Sequence, residues 1–239
     1  MSIAAHLGTL RAAIAVRPAQ TQYLTRPGVL EWLYAEPGFV GGLTKESEKA
    51  WGNATIGGDT KQWTTKLSER VLHDILTLRD ELPRKLPRAQ RPAAANGKRL
   101  EPDWETDEAL YECKARSYKT SGTAGEKIMG CPVKYSELPR LYQKPLYIVC
   151  VGYQEVEAAD DFQLFQPRSE ELRAQTQFWK HVLRIEVVRA TSLLDAILGP
   201  PPPPPEAPPV LLLEPPAAHP VEAPPDHDVD APSTPPMYV

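Results

Sequence analysis

Cysteine is scarce in this chain: Cys113, Cys131 and Cys150 are the only three, and no C-x-x-C spacing links them. That excludes a zinc ribbon and a disulfide framework, and thiols scattered among apolar neighbours suit a reducing compartment. The start, Met1-Ser2-Ile3-Ala4-Ala5-His6-Leu7, lacks a basic n-region, and no apolar run approaches the roughly 20 residues of a membrane span. A soluble intracellular protein is expected, in the cytoplasm or nucleus of a cell or in a virion, with no membrane partner. The phosphate-loop pattern G-x-x-x-x-G-K-[ST] is also missing, because Gly125 is followed by Glu126 and Lys127 by Ile128. His181 has no serine or cysteine nucleophile signalled beside it, so no hydrolase triad is expected. Lysine and arginine are absent from residues 200–239, which hold 16 of the 27 prolines and six acidic residues. The formal charge of −4 therefore divides into −6 for that segment and +2 for residues 1–199, so the acidic balance misrepresents the folded part.

What is present divides the chain in three. Residues 1–57 are expected to form an N-terminal helical arm or cap, residues 58–198 the core, and residues 199–239 a disordered, proline-rich acidic tail. Six consecutive prolines from Pro200 favour a stiff polyproline II spacer. Within the tail, Val210-Leu211-Leu212-Leu213 is a sticky spot on which a partner could dock. Hydrophobic residues make up 41% of the chain, enough for a packed core.

Residues 2–16 and 27–34 carry helical spacing, and the pairs Gly41-Gly42 and Gly57-Gly58 punctuate a polar stretch between them and the core. Asp59-Thr60-Lys61-Gln62 reads as a capping signature before the clearest helix, whose stripe is Trp63, Leu67, Val71, Ile75 and Leu78, widened by Leu72 and Leu76 and ended by Pro83. Glu69 lies on the flank of that stripe. A basic stretch from Arg84 to Arg99 follows, including Lys98 and Arg99 around an Asn96-Gly97 turn, and can serve as a phosphate contact or a solvated linker. Thr123 and Glu126 make a capping box that opens another helix, and Pro132 and Pro139 interrupt any long one. Leu146-Tyr147-Ile148-Val149-Cys150-Val151 predicts a buried central strand. Ser169 predicts a cap for a helix reaching about His181, with Leu172, Phe178, Trp179 and Val182 inward, and Leu183 to Val188 predicts a further strand.

The chemistry concentrates between Pro102 and Lys114. Glu112 and Lys114 stand two apart between apolar Tyr111, Cys113 and Ala115, so a strand presents both on one face. Asp103 follows a proline, and eight residues separate it from Glu112, the length of one short hairpin. Two carboxylates and a lysine can then converge: hard oxygen ligands for magnesium, and a cation beside an attacking water and a phosphate. Glu105 and Asp107 lie in the same hairpin, and Asp107 replaces Asp103 as ligand if the register differs.

These residues resemble the PD-(D/E)xK nuclease superfamily, and within it the type II restriction endonuclease-like proteins of large DNA viruses and bacteria. Pro102-Asp103 with Glu112-Cys113-Lys114 matches the P-D…E-x-K pattern, and Gln62 to Glu69 is similar to the family's N-terminal helix with its accessory acid. The third piece runs from Thr123 through Lys134-Tyr135, then Lys144-Pro145-Leu146-Tyr147-Ile148-Val149. The resemblance covers residues 58 to 190 and implies an α/β, restriction-endonuclease-like fold with a mixed central sheet flanked by helices. It implies Asp103, Glu112 and the Cys113 backbone carbonyl as ligands of Mg2+, with Mn2+ as substitute, Lys114 as the water-orienting group, and Glu69 as accessory acid. DNA contacts are expected from Lys98, Arg99, Arg116, Lys119, Thr123, Lys127 and Lys134. The expected activity is sequence-specific cleavage of double-stranded DNA by a homodimer, since a twofold assembly suits a palindrome. A structure-specific repair or recombination nuclease and a catalytically inactive DNA- or partner-binding protein are the alternatives.

Overall fold

The computed structural model describes residues 2–17, 20–120 and 126–199. The capping box expected at Thr123 and the proline-rich tail fall outside them. In chain order the elements are α1 (Ile3–Ala15), α2 (Val29–Leu33), α3 (Pro37–Gly41), α4 (Lys45–Ile56), α5 (Trp63–Leu78), β1 (Trp104–Glu105), β2 (Leu110–Arg116) and α6 (Glu126–Lys134). They continue with α7 (Leu138–Tyr142), β3 (Leu146–Gly152), α8 (Tyr153–Asp160), α9 (Glu170–His181), β4 (Ile185–Arg189) and α10 (Ala190–Asp195). The class is α/β: a four-stranded mixed sheet, ordered β1-β2-β3-β4, is flanked by helices. β1 and β2 form an antiparallel hairpin, and β2, β3 and β4 run parallel. No helix among the described residues is long and apolar enough to cross a membrane.

The period-two alternation of the strands builds two cores. Tyr111 and Cys113 on β2 share one apolar cluster with Val149 and Val151 on β3 and with the stripe Leu67, Val71 and Ile75 of α5. Leu110, Ile148 and Cys150 point the other way, into a second cluster with Ile128, Tyr135, Leu138 and Trp179. Residues from α1, α2 and α4 join the first cluster, Leu7, Leu10, Trp32 and Ile56 among them, so the N-terminal helices cover the same face as α5.

Several local expectations change. The polar stretch punctuated by glycines contains α4, opened by a reciprocal Thr44–Ser47 capping box and closed by Gly57 at φ 72°. Asp59-Thr60 does not cap α5: the cap is Gln62, with no side-chain bond, while Thr60 Oγ1 accepts the Gln62 N–H at 3.1 Å in the preceding turn. That helix stops before Pro83, where Asp80 turns left-handed at φ 60° and the Glu81 N–H returns to the Leu76 carbonyl at 3.0 Å. Pro132 lies inside α6 rather than ending it. Ser169 does cap α9, accepting the Leu172 N–H at 3.1 Å, but of the inward residues expected there only Trp179 is buried, while Phe178 and Val182 are 50% and 64% exposed.

Candidate metal centre

β1 is only two residues long, and it pairs Trp104 with Tyr111 and Glu105 with Leu110. Past Tyr111 the edge of β2 has no strand beside it on that side among the described residues, and its amides need other acceptors. Asp103, just before β1, supplies one: its Oδ2 accepts the Cys113 N–H at 2.7 Å. The hairpin thus delivers a carboxylate to the middle of β2 beside Glu112 and Lys114. Pro102 is buried at the entry.

Glu112 and Lys114 share a face, as period two requires, and they touch. The Lys114 ammonium pairs with Glu112 Oε1 and also donates to the Cys113 carbonyl at 3.1 Å. The Glu112 side chain is 7% exposed and that of Lys114 22%. Tyr135, just after α6, donates its hydroxyl to the same Glu112 Oε1 at 2.6 Å, and the Lys134 ammonium stands 2.6 Å from the Tyr135 oxygen. All these contacts use one oxygen of each acid. Asp103 Oδ1 and Glu112 Oε2 take no hydrogen bond among the described residues.

Charge is unevenly compensated. Burial, followed by the Glu112 charge, pushes the Asp103 carboxyl up to about 7, with Glu69 adding to the rise and the Cys113 N–H and Lys114 opposing it. Burial disfavours the Lys114 charge, but Glu112, Cys131 and Asp103 outweigh it and hold the ammonium above its ordinary range. Burial likewise drives the Cys113 thiol upward, so it is a packing group rather than a thiolate ligand.

Glu69 on α5 reaches this region from the other face of the sheet. Its Oε2 pairs with Lys85 at 2.9 Å, and its backbone carbonyl accepts the Trp104 indole N–H at 2.9 Å. Asp107 does not reach it. That residue sits in the turn of the hairpin, its side chain 74% exposed and bound to Arg84 at 2.7 Å, which lowers its pKa. Glu105 is buried against Lys144 at 2.6 Å and Arg84 at 3.3 Å. Of the two aspartates left open by the sequence, the geometry therefore favours Asp103.

The donor set suits a hard divalent cation. Two carboxylates with unshared oxygens and a backbone carbonyl supply oxygen ligands only, the chemistry of magnesium, which keeps several waters and needs no full protein cage. Among the described residues no group of three or more His, Cys, Asp and Glu is gathered to hold a metal, and Glu69 is engaged by Lys85. A cation here would also relieve the repulsion between Asp103 and Glu112.

The expected DNA contacts scatter. Lys98 and Arg99 lie exposed in a tight turn with Gly97 at φ 76°, and the Arg99 guanidinium is drawn onto the Ala89 and Arg91 carbonyls. Lys127 and Lys134 are exposed on α6. Lys119 is half-buried, its backbone N–H held by Glu48 at 3.1 Å. Arg116 is not on offer as a free cation: its side chain is 14% exposed and engaged by Glu157, the Thr120 carbonyl and the Tyr153 ring. Thr123 lies outside the described residues. Sequence reasoning missed Tyr135 and Lys85 as members of the site. Tyr135 repeats the buried spacing of Ile128 and Cys131 on α6, which marks it as core and conceals the use of its hydroxyl. Compared with known proteins, the chain matches no family model, no curated protein and no solved structure.

Proposed function

We propose that the chain is a divalent-metal-dependent phosphodiester hydrolase acting on DNA, with a restriction-endonuclease-like core. The observation that carries this reading is the approach of Asp103 to Cys113 at 2.7 Å, which sets two incompletely bonded carboxylates and a charged lysine at one point of an open strand edge. Asp103, Glu112 and the Cys113 carbonyl would hold Mg2+ or Mn2+. Such an ion lowers the pKa of bound water and neutralises developing phosphate charge. Lys114, kept protonated by Glu112, orients the attacking water and balances phosphate charge; it is not the proton acceptor. Tyr135 fixes Glu112 through Oε1 and leaves Oε2 directed to other use. Glu69 with Lys85 is the accessory pair. Of the expected DNA-contacting residues, Lys98 and Lys127 are exposed cations without a side-chain partner among the described residues and would meet the DNA backbone, with Lys134, held on Tyr135, beside them.

Sequence-specific double-strand cleavage by a homodimer is the form tested first. Purified protein, Mg2+ and genomic DNA, followed by sequencing of the ends, should yield discrete fragments with a fixed stagger. Cleavage confined to branched or damaged substrates favours the structure-specific form. Intact DNA under Mg2+ and Mn2+ alike overturns the proposal.

A further inference from the structure

α9 carries an apolar face that nothing else among the described residues covers. Of the exposed large apolar side chains, Val16, Leu82 and Val133 are isolated along the chain, whereas Phe178 and Val182 stand one turn apart on α9, 50% and 64% exposed. Single apolar residues are ordinary on a protein surface, but neighbours on one helix face form a patch. At about 100° per residue, Phe178 lies a quarter turn or more round the axis from Trp179, the one buried residue of α9, and Leu172 packs on the Trp179 side. Glu171, Ala174, Gln175, Phe178, His181 and Val182 fall within an arc of about 120° turned away from that core, and all six are exposed.

Charge runs along this face in a self-complementary way. The first turn of α9 is acidic, with Glu170 and Glu171, and the last turn basic, with Lys180 and His181. Lys180 is bound to Glu186 of its own chain at 2.8 Å, whereas the side chains of Glu171 and His181 have no polar partner among the described residues. A second α9 laid antiparallel, about a twofold axis level with Thr176, brings each Glu171 to the partner's His181 and each Phe178 to the partner's Ala174. An imidazole N–H donates to a carboxylate whether or not the ring is charged, so the polar contact holds in either state. A ring set against an alanine interdigitates without crowding the two axes, and the antiparallel sense places opposite dipole ends side by side. Nucleic acid and an anionic membrane fit less well, since Glu170 and Glu171 repel both.

We propose that α9 is the contact surface of a homodimer, packed antiparallel on the α9 of a second copy through Ala174, Phe178 and Val182 and oriented by Glu171 against the partner's His181. The inference rests on the proposed function only for the use of that dimer, cleavage of both strands; its formation follows from the α9 face.

The test is sedimentation equilibrium of the full chain without DNA or metal, over micromolar concentrations, where an interface of modest area associates. The parent should pass from monomer to dimer. Phe178→Ser and Val182→Ser should each weaken dimerisation by about tenfold or more, because a twofold contact loses the side chain from both copies. Their melting temperatures, read at concentrations where the parent is monomeric, should match the parent's, since both side chains are exposed in the single chain. Glu171→Lys should weaken dimerisation about fivefold, two surface pairs being lost, and adding His181→Glu should restore it by returning opposite charges to the same contact. A local effect on α9 gives no such recovery. A parent that stays monomeric, a dimer that the serine variants leave intact, or a double variant without recovery overturns the inference. If the chain dimerises as described but cuts no DNA, the nuclease reading falls and the α9 contact stands; if it cuts DNA as a monomer, the reverse holds.

Discussion

Glu48 and Asp103 are both carboxylates taken out of water, and the chain treats them in opposite ways. Glu48, on α4, is 0% exposed and accepts from the Trp32 indole at 3.1 Å, the Ser117 hydroxyl, and the backbone N–H groups of Tyr118 and Lys119 at 2.9 and 3.1 Å. Four donors saturate it, and it pins the loop after β2 to the N-terminal helices. Asp74 is a second case, its Oδ2 filled by three backbone N–H groups. Asp103 accepts one N–H and faces Glu112 and Glu69. A saturated buried carboxylate is part of the framework, whereas an unsaturated one beside like charges keeps a charge that a bound cation would compensate.

The contrast is sharpest under mutation. On the proposed function, Asp103→Ala or Glu112→Ala should lower plasmid cleavage in Mg2+ by about a thousandfold or more, since each would remove a ligand of the ion that activates water, and Asp107→Ala should cut like the parent. A dead Asp107→Ala beside an active Asp103→Ala would exchange the two assignments. Glu48→Ala should do the reverse, losing stability rather than chemistry: several donors are left buried and unpaired, a cost of about 3 kcal/mol or more. Chemical denaturation measures this, and a midpoint equal to the parent's would remove Glu48 from the framework.

Tyr135→Phe sits between these cases. It deletes one hydroxyl from Glu112 and keeps the ring in the core, so kcat should fall by about tenfold, roughly the worth of one positioning hydrogen bond, with little change in melting temperature. Equal rates would mean that Lys114 alone orients Glu112. The smallest effect concerns pH. Burial and the Glu112 charge raise Asp103 to about 7 in the folded chain, so between the ordinary carboxylate range and that value the native state binds more protons than the unfolded one. Without divalent cation, the parent should therefore lose stability as pH rises from about 4 to 7. Asp103→Asn lacks this penalty, and its advantage in melting temperature should grow over that interval and level off above it. A constant difference across pH would show that Asp103 ionises normally.

Much of this arrangement was legible in the sequence, for reasons that can be named. Glu112 and Lys114 fall on one face because strand period is a local rule, and β3 and α5 announce themselves through an unbroken apolar run and a clean stripe. The sequence favours Asp103 over Asp107 on register alone; it does not show that Arg84, 23 residues upstream, reaches across to Asp107. α4 was hidden because its buried positions are Glu48, Gly52, Thr55 and Ile56, three of them without an apolar side chain. Gly52 is there because Trp63 packs where its Cβ would stand, 2.1 Å from the ring. β1, two residues long, is too short to leave a pattern. Tyr135 and Lys85 join the site through packing between distant segments, which spacing along the chain does not encode.

The central claim is that Asp103 and Glu112 hold a divalent cation. Titration of Mn2+ followed by electron paramagnetic resonance, on the parent and on Asp103→Asn, Glu112→Gln and Asp107→Asn, tests it without any DNA. The parent and Asp107→Asn should bind one ion, and the other two should lose it or bind at least tenfold more weakly. Equal Mn2+ binding by all four chains would contradict the account.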